Sequence, residues 1–183
     1  MGKDPRSPPQ DPFQQGVLPP AGTSAELKAD ELMGNSYLEQ ITDSIAPTII
    51  NELELDSANL NKAVIGSSMG GLASLYALTK RPDFFTTSLA LSTHWSAGEF
   101  ALVEALVDQL PPPGNHKIWM SHGTRGLDSH YSPFQERANE KMKSAGWVLN
   151  ENYMTRVYQG ARHNERAWSR HLDQPITFWL KEN

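Results

Sequence analysis

A mainly parallel α/β sheet flanked by helices is predicted by three observations. Short apolar, β-branched runs recur between residues 61 and 158, helical patterns separate them, and the first run leads straight into Gly66-Ser67-Ser68-Met69-Gly70. Parallel strands need crossovers long enough for a helix, so this alternation is the order such a sheet demands. At 183 residues the chain suits one domain with a real core.

Residues 1–33 are expected to be irregular. Asp4-Pro5-Arg6-Ser7-Pro8-Pro9 and Pro19-Pro20-Ala21-Gly22 are proline-rich and show no periodicity. The folded domain is expected over 34–183. From Asn35, Tyr37, Leu38, Ile41, Ile45 and Ile49 fall at helical spacing, with Pro47 bending or ending the helix. Asn61–Ile65 reads as a buried strand, and a helix follows to about Lys80 with Leu72, Leu75, Tyr76 and Thr79 along one face. Thr87–Leu91 is the next strand. A helix from Ala97 to Gln109 stops at Pro111-Pro112-Pro113-Gly114. His116–Met120 is a strand, Tyr131–Ala145 a helix closed by Gly146, and Met154–Tyr158 a strand. One final helix runs through Trp168, Leu172 and Phe178.

The turn after the first strand carries the chemistry. It has the G-x-S-x-G form of a nucleophile elbow, which lifts a serine hydroxyl off a strand end. Only Ser68 has glycine at both flanking offsets; Ser67 would need it at Ile65 and Met69. The tightness of the turn is expected to exclude side chains at both Gly66 and Gly70. The plain alternative is a glycine-rich turn with a capping serine.

Functional groups on a parallel sheet collect at the carboxyl ends of its strands. Asp128 follows the third strand and His163 the fourth, each in a glycine-containing loop. This pattern suggests His163 as the base that takes the Ser68 proton, Asp128 as the group that orients the imidazole, and the Met69 N–H as an oxyanion donor. Alternatively, Asp128 caps a turn and His163 begins the last helix half exposed. Asp83, Glu136 and Asp173 are weaker acids for the role, being on the wrong side of the elbow helix, inside a helix, or after the histidine. His94 and Trp95 follow the second strand and either line a substrate pocket or pack beneath a loop. His122 and His130 flank the Asp128 loop and read as solvated or structural histidines; His116 and His171, farther from the motif, carry no case. The histidines show no metal-ligand spacing, so no metal is expected.

A net charge of −5 with no basic run argues against a nucleic-acid partner or a polybasic membrane patch. No apolar stretch is long enough to span a bilayer and no secretory pattern opens the chain, so the default compartment is cytoplasmic. With no cysteine, thiol catalysis and disulfides are excluded.

Val64-Ile65-Gly66-Ser67-Ser68-Met69-Gly70-Gly71-Leu72 resembles the elbow of the putative esterase family, which includes esterase D and enterochelin esterases. Leu91-Ser92-Thr93-His94-Trp95, Gly123-Thr124-Arg125-Gly126-Leu127-Asp128 and Gly160-Ala161-Arg162-His163-Asn164-Glu165-Arg166-Ala167-Trp168 are similar to other motifs of that family, in the same order. The resemblance runs from about Gly34 to Leu180. It implies an α/β-hydrolase-like fold, nucleophile Ser68, acid Asp128, base His163, a small-molecule alcohol or thiol ester substrate, and no cofactor. Members also place several strands, and a loop giving the second oxyanion N–H, ahead of the matching region. The expected fold is therefore an N-terminally truncated half-sheet with Asn61–Ile65 at an edge. A fragment of a longer esterase, a homodimer covering the edge, and a non-catalytic binding or assembly module each fit that expectation.

Overall fold

The computed structural model describes residues 34–181, so the reading of 1–33 lies outside the described residues. Four parallel strands lie in the order β1-β2-β3-β4: β1 Ala63–Ser67, β2 Thr87–Leu91, β3 Lys117–Arg125 and β4 Tyr153–Arg162. Ser67, Leu91 and Ser121 align across the first three strands, so their carboxyl ends open on one edge of the sheet. The α/β class and the mainly parallel sheet with flanking helices are as the sequence predicts.

Alternation along the strands divides the core in two. Ala90, Ile118, Met120 and Tyr153 join Leu38, Leu75, Leu78, Val103 and Met142 on one side. That side is covered by α1 Gly34–Gln40, α3 Met69–Lys80, α4 Glu99–Val107 and α5 Ser132–Ser144. Leu89, Leu91 and Trp119 face the other side, against Phe178 of α7 Asp173–Leu180, with Trp168 of α6 Glu165–Ser169 packed nearby. β2 is buried along its whole length, which is why it reads so clearly as an apolar run. Among the described residues β1 pairs with β2 alone, and Ile65 is 46% exposed.

Three expectations are narrowed or corrected. Of the two outcomes expected at Pro47, a bend or an end, the helix does not end: a π turn, Ile41–Ile45, joins α1 to α2 Ala46–Glu52. Pro47 has no N–H to return to the Asp43 carbonyl, and the wider turn, with Ala46 N–H donating to Ile41, absorbs the loss. The final helix is two. Pro175 cannot donate to the preceding turn, so the chain restarts as α7 rather than continuing α6. Finally, β3 and β4 run several residues further than their apolar cores suggest, to Arg125 and Arg162.

Candidate active site

Ser68 sits between β1 and α3 with φ 58° and ψ −120°, a conformation costly for a residue with a Cβ. The surrounding backbone over-determines it. Its N–H donates to the Leu91 carbonyl (2.8 Å), and its own carbonyl accepts from Gly71 (3.0 Å), His94 (3.2 Å) and Leu72 (3.3 Å). A Cβ at Gly66 would lie 2.2 Å from the Gly70 carbonyl oxygen, so glycine is obligatory there. Gly70 differs from the expectation, for a Cβ there meets nothing within 4 Å. The second tight position is Gly71, where a Cβ would be 3.2 Å from the Leu91 carbonyl oxygen and from Thr93.

The structure brings Ser68, His163 and Asp128 together. Ser68 Oγ is 2.8 Å from His163 Nε2, and His163 Nδ1 is 2.5 Å from Asp128 Oδ1. Asp128 lies in a short 3-10 turn, Gly126–His130, and is 1% exposed. Its Oδ2 accepts from the Gly123 N–H (2.6 Å) and the Ser92 hydroxyl (2.7 Å). Burial pushes this carboxyl up, but hydrogen bonds from His163, Ser92 and Gly123 outweigh it and hold the group below its usual range. The Gly123 contact needs glycine, because a Cβ would fall 2.4 Å from the Ala161 carbonyl oxygen and 2.9 Å from Asp128 Oδ2.

His163 precedes α6, whose cap Asn164 accepts from the Ala167 N–H through its side chain (2.9 Å). Its imidazole is bordered by Trp168 edge-on at 5.0 Å between ring centroids, Tyr131 at 5.7 Å and His94 at 6.3 Å. His94 Nδ1 is 2.6 Å from the Tyr131 hydroxyl. Met69 is the first residue of α3, so its N–H is one of those with no carbonyl partner inside the helix.

Trp95 is a correction. It is fully buried in the larger core with Nε1 donating to Gln135 (3.3 Å), so it packs beneath the site and lines no pocket at the surface. Of the other histidines, His122 is buried against the Gly123 carbonyl and His171 stacks on Tyr158 at 3.9 Å. Among the described residues no three His, Asp or Glu side chains gather as metal ligands, and no helix is long and apolar enough to cross a membrane.

Sequence reasoning assigned no role to Ser92, Gly123, Tyr131 or Trp168. Ser92, Gly123 and Trp168 lie inside the three motifs quoted for the strand-end loops. Ser92 has φ 44°, a left-handed backbone at a non-glycine residue that nothing in its own dipeptide announces.

Residues 9–178 match the family described as "Putative esterase", a match that begins ahead of the expected Gly34. Uncharacterized protein YbbA of Bacillus subtilis (strain 168) is 24% identical over 157 residues, covering 81% of this chain and 60% of the relative. Among solved structures, a ferulic acid esterase superposes with a TM-score of 0.60 at 18% identity, over 78% of this chain and 60% of that one. The enterobactin esterase FES from Shigella flexneri superposes at 0.59 with 20% identity, over 82% of this chain and 40% of that one. The chain thus spans 60% or less of each of these proteins.

Proposed function

The chain belongs to the family described as "Putative esterase", and from that premise we propose that it is a serine hydrolase cleaving a carboxylic ester or thioester through an acyl-enzyme on Ser68. The observation that carries this reading is the unbroken series Ser68 Oγ–His163 Nε2, His163 Nδ1–Asp128 Oδ1.

In the first half-reaction Ser68 Oγ attacks the carbonyl carbon while its proton passes to His163 Nε2. The oxygen that gains charge is received by the Met69 N–H at the positive end of α3. Collapse expels the alcohol or thiol, which takes the proton back from His163. Water then adds to the acyl carbon as it loses a proton to the same nitrogen, and cleavage of the Ser68 Oγ–carbon bond releases the acid while His163 returns that proton to Oγ. Asp128 stays ionised throughout and holds the imidazole with Nδ1 protonated. On this reading His94, whose ring lies 6.3 Å from that of His163, is the member of the His94–Trp95 pair that borders the substrate. Esters of the kinds named for the similar proteins, a ferulic acid ester and enterobactin, are the substrates to try after a generic one.

A second reading, a non-catalytic binding or assembly module, is favoured by the half-exposed Ile65 on β1. One experiment separates the two. Turnover of p-nitrophenyl acetate by the wild type should fall about ten-thousandfold or more in Ser68→Ala. A folded wild type whose residual turnover is untouched by Ser68→Ala overturns the hydrolase reading. Size-exclusion chromatography on both proteins reads whether two copies pair.

A further inference from the structure

The polar contacts behind Asp128 have a direction that can be deduced from hydrogen counting alone. Trp168 Nε1 carries one hydrogen and cannot accept. It lies 2.8 Å from Ser92 Oγ, so Ser92 is the acceptor in that contact. The single hydrogen of the Ser92 hydroxyl is then left for Asp128 Oδ2, 2.7 Å away. That oxygen also takes the Gly123 N–H. Oδ1 therefore remains for His163, and an ionised carboxylate has no proton to give, so His163 Nδ1 must be the donor. With its hydrogen on Nδ1, the neutral imidazole presents a lone pair on Nε2 to Ser68 Oγ.

We infer that Ser92 and Trp168 are positioning residues that set the hydrogen arrangement of the Ser68–His163–Asp128 series, Trp168 acting on Ser92 and Ser92 on Asp128. The inference rests on the hydrolase reading above for its catalytic meaning, though not for its structural content. Without the indole N–H, the Ser92 hydroxyl could rotate away and offer a lone pair to the carboxylate, leaving Oδ2 with one donor. Two features support a built device rather than a chance contact. Ser92, just past the end of β2, is held at φ 44° with its hydroxyl on the acid in the turn that follows β3. Trp168 also sits five residues beyond His163 on a helix capped by Asn164, with its ring edge-on to the imidazole. Seating that helix thus places the base and the group that orients its partner in one motion.

The test reads the His163 Nδ1 proton by low-field NMR in wild type, Ser92→Gly, Trp168→Phe and the double variant, with His163→Ala as the assignment control. Glycine tolerates the left-handed backbone at this site, so Ser92→Gly removes the hydroxyl without a folding penalty from φ. Trp168→Phe keeps an aromatic ring beside the imidazole while removing the N–H donor together with the second ring of the indole. The resonance should shift in Ser92→Gly and, by less, in Trp168→Phe. kcat should fall about 10- to 100-fold in the first and about 3- to 10-fold in the second, with KM within about twofold. Because Trp168 acts through Ser92, the double variant should be no slower than Ser92→Gly alone. An unmoved resonance in Ser92→Gly, or a double variant whose loss is the product of the two single losses, overturns the inference. The NMR readout needs no turnover, so an inactive wild type would end the hydrolase reading while leaving this one decided on its own signal.

Discussion

Ser68 and Asp128 lie within one hydrogen-bonded series yet are held in opposite ways. Ser68 is placed by main chain: four backbone hydrogen bonds, a glycine that admits no Cβ, and no side-chain cap. It follows β1, an edge strand among the described residues. Asp128 is placed largely by side chains, being buried and gripped by Ser92 and His163 as well as by the Gly123 N–H. On the proposed reading the nucleophile must reach its target at a fixed angle, and a strained turn pinned by main-chain hydrogen bonds does that without calling on neighbouring side chains. An acid that only orients a base can be held by whichever side chains tertiary packing delivers.

The largest effect expected on the side-chain half comes from Asp128→Asn. The amide keeps the shape but can turn its NH2 toward His163, favouring the wrong tautomer, and kcat should drop about 10³- to 10⁴-fold while KM changes little. Steady-state kinetics on the folded variant decide it; a loss under tenfold would mean that the acid is dispensable. On the backbone half, Gly66→Ala should cost about 3 kcal/mol of stability, since the clash is with backbone that cannot step aside. Gly70→Ala sharpens the contrast. With open space around it inside α3, it should be neutral or stabilising by up to about 1 kcal/mol. Urea titrations of the two variants should diverge, and equal losses would refute the asymmetry within the elbow.

The smallest effect is on acid stability. The Asp128 carboxyl is held below its usual range in the folded protein, so the stability it contributes is present above the unfolded value and lost as pH falls through the folded one. The urea midpoint of wild type should therefore exceed that of Asp128→Asn at about pH 5 and close on it toward about pH 3. A gap that stays constant over that range would show that the carboxylate is not what the folded state rewards.

The same contrast explains what could be read from the sequence. β2 was legible to the residue because both its faces are buried and its composition says so. The elbow was legible because a steric demand at Gly66 writes itself as glycine. Asp128 and His163 followed from the topology rule for strand ends. What tertiary contacts decide was hidden. Gly123 and Gly160 read as loop residues, yet both lie within strands: the Ala161 backbone crowds Gly123 where the register slips before Arg125, and Gly160 takes φ 78° with open space around it. The role of Ser92 depends on an indole 76 positions away, and no local pattern encodes that distance. Pro175 was the missed signal that the last helix is two.

The Ser68–His163 contact joins residues 95 apart in the chain. At a synthesis rate of about 5 to 20 residues per second, the serine leaves the ribosome roughly 5 to 20 seconds before its base. On the proposed hydrolase reading, the nascent protein through that interval has the nucleophile without the imidazole that would take its proton. The hydroxyl is then no more reactive than any other serine. On that reading, latency during synthesis is written into the order in which the strands appear.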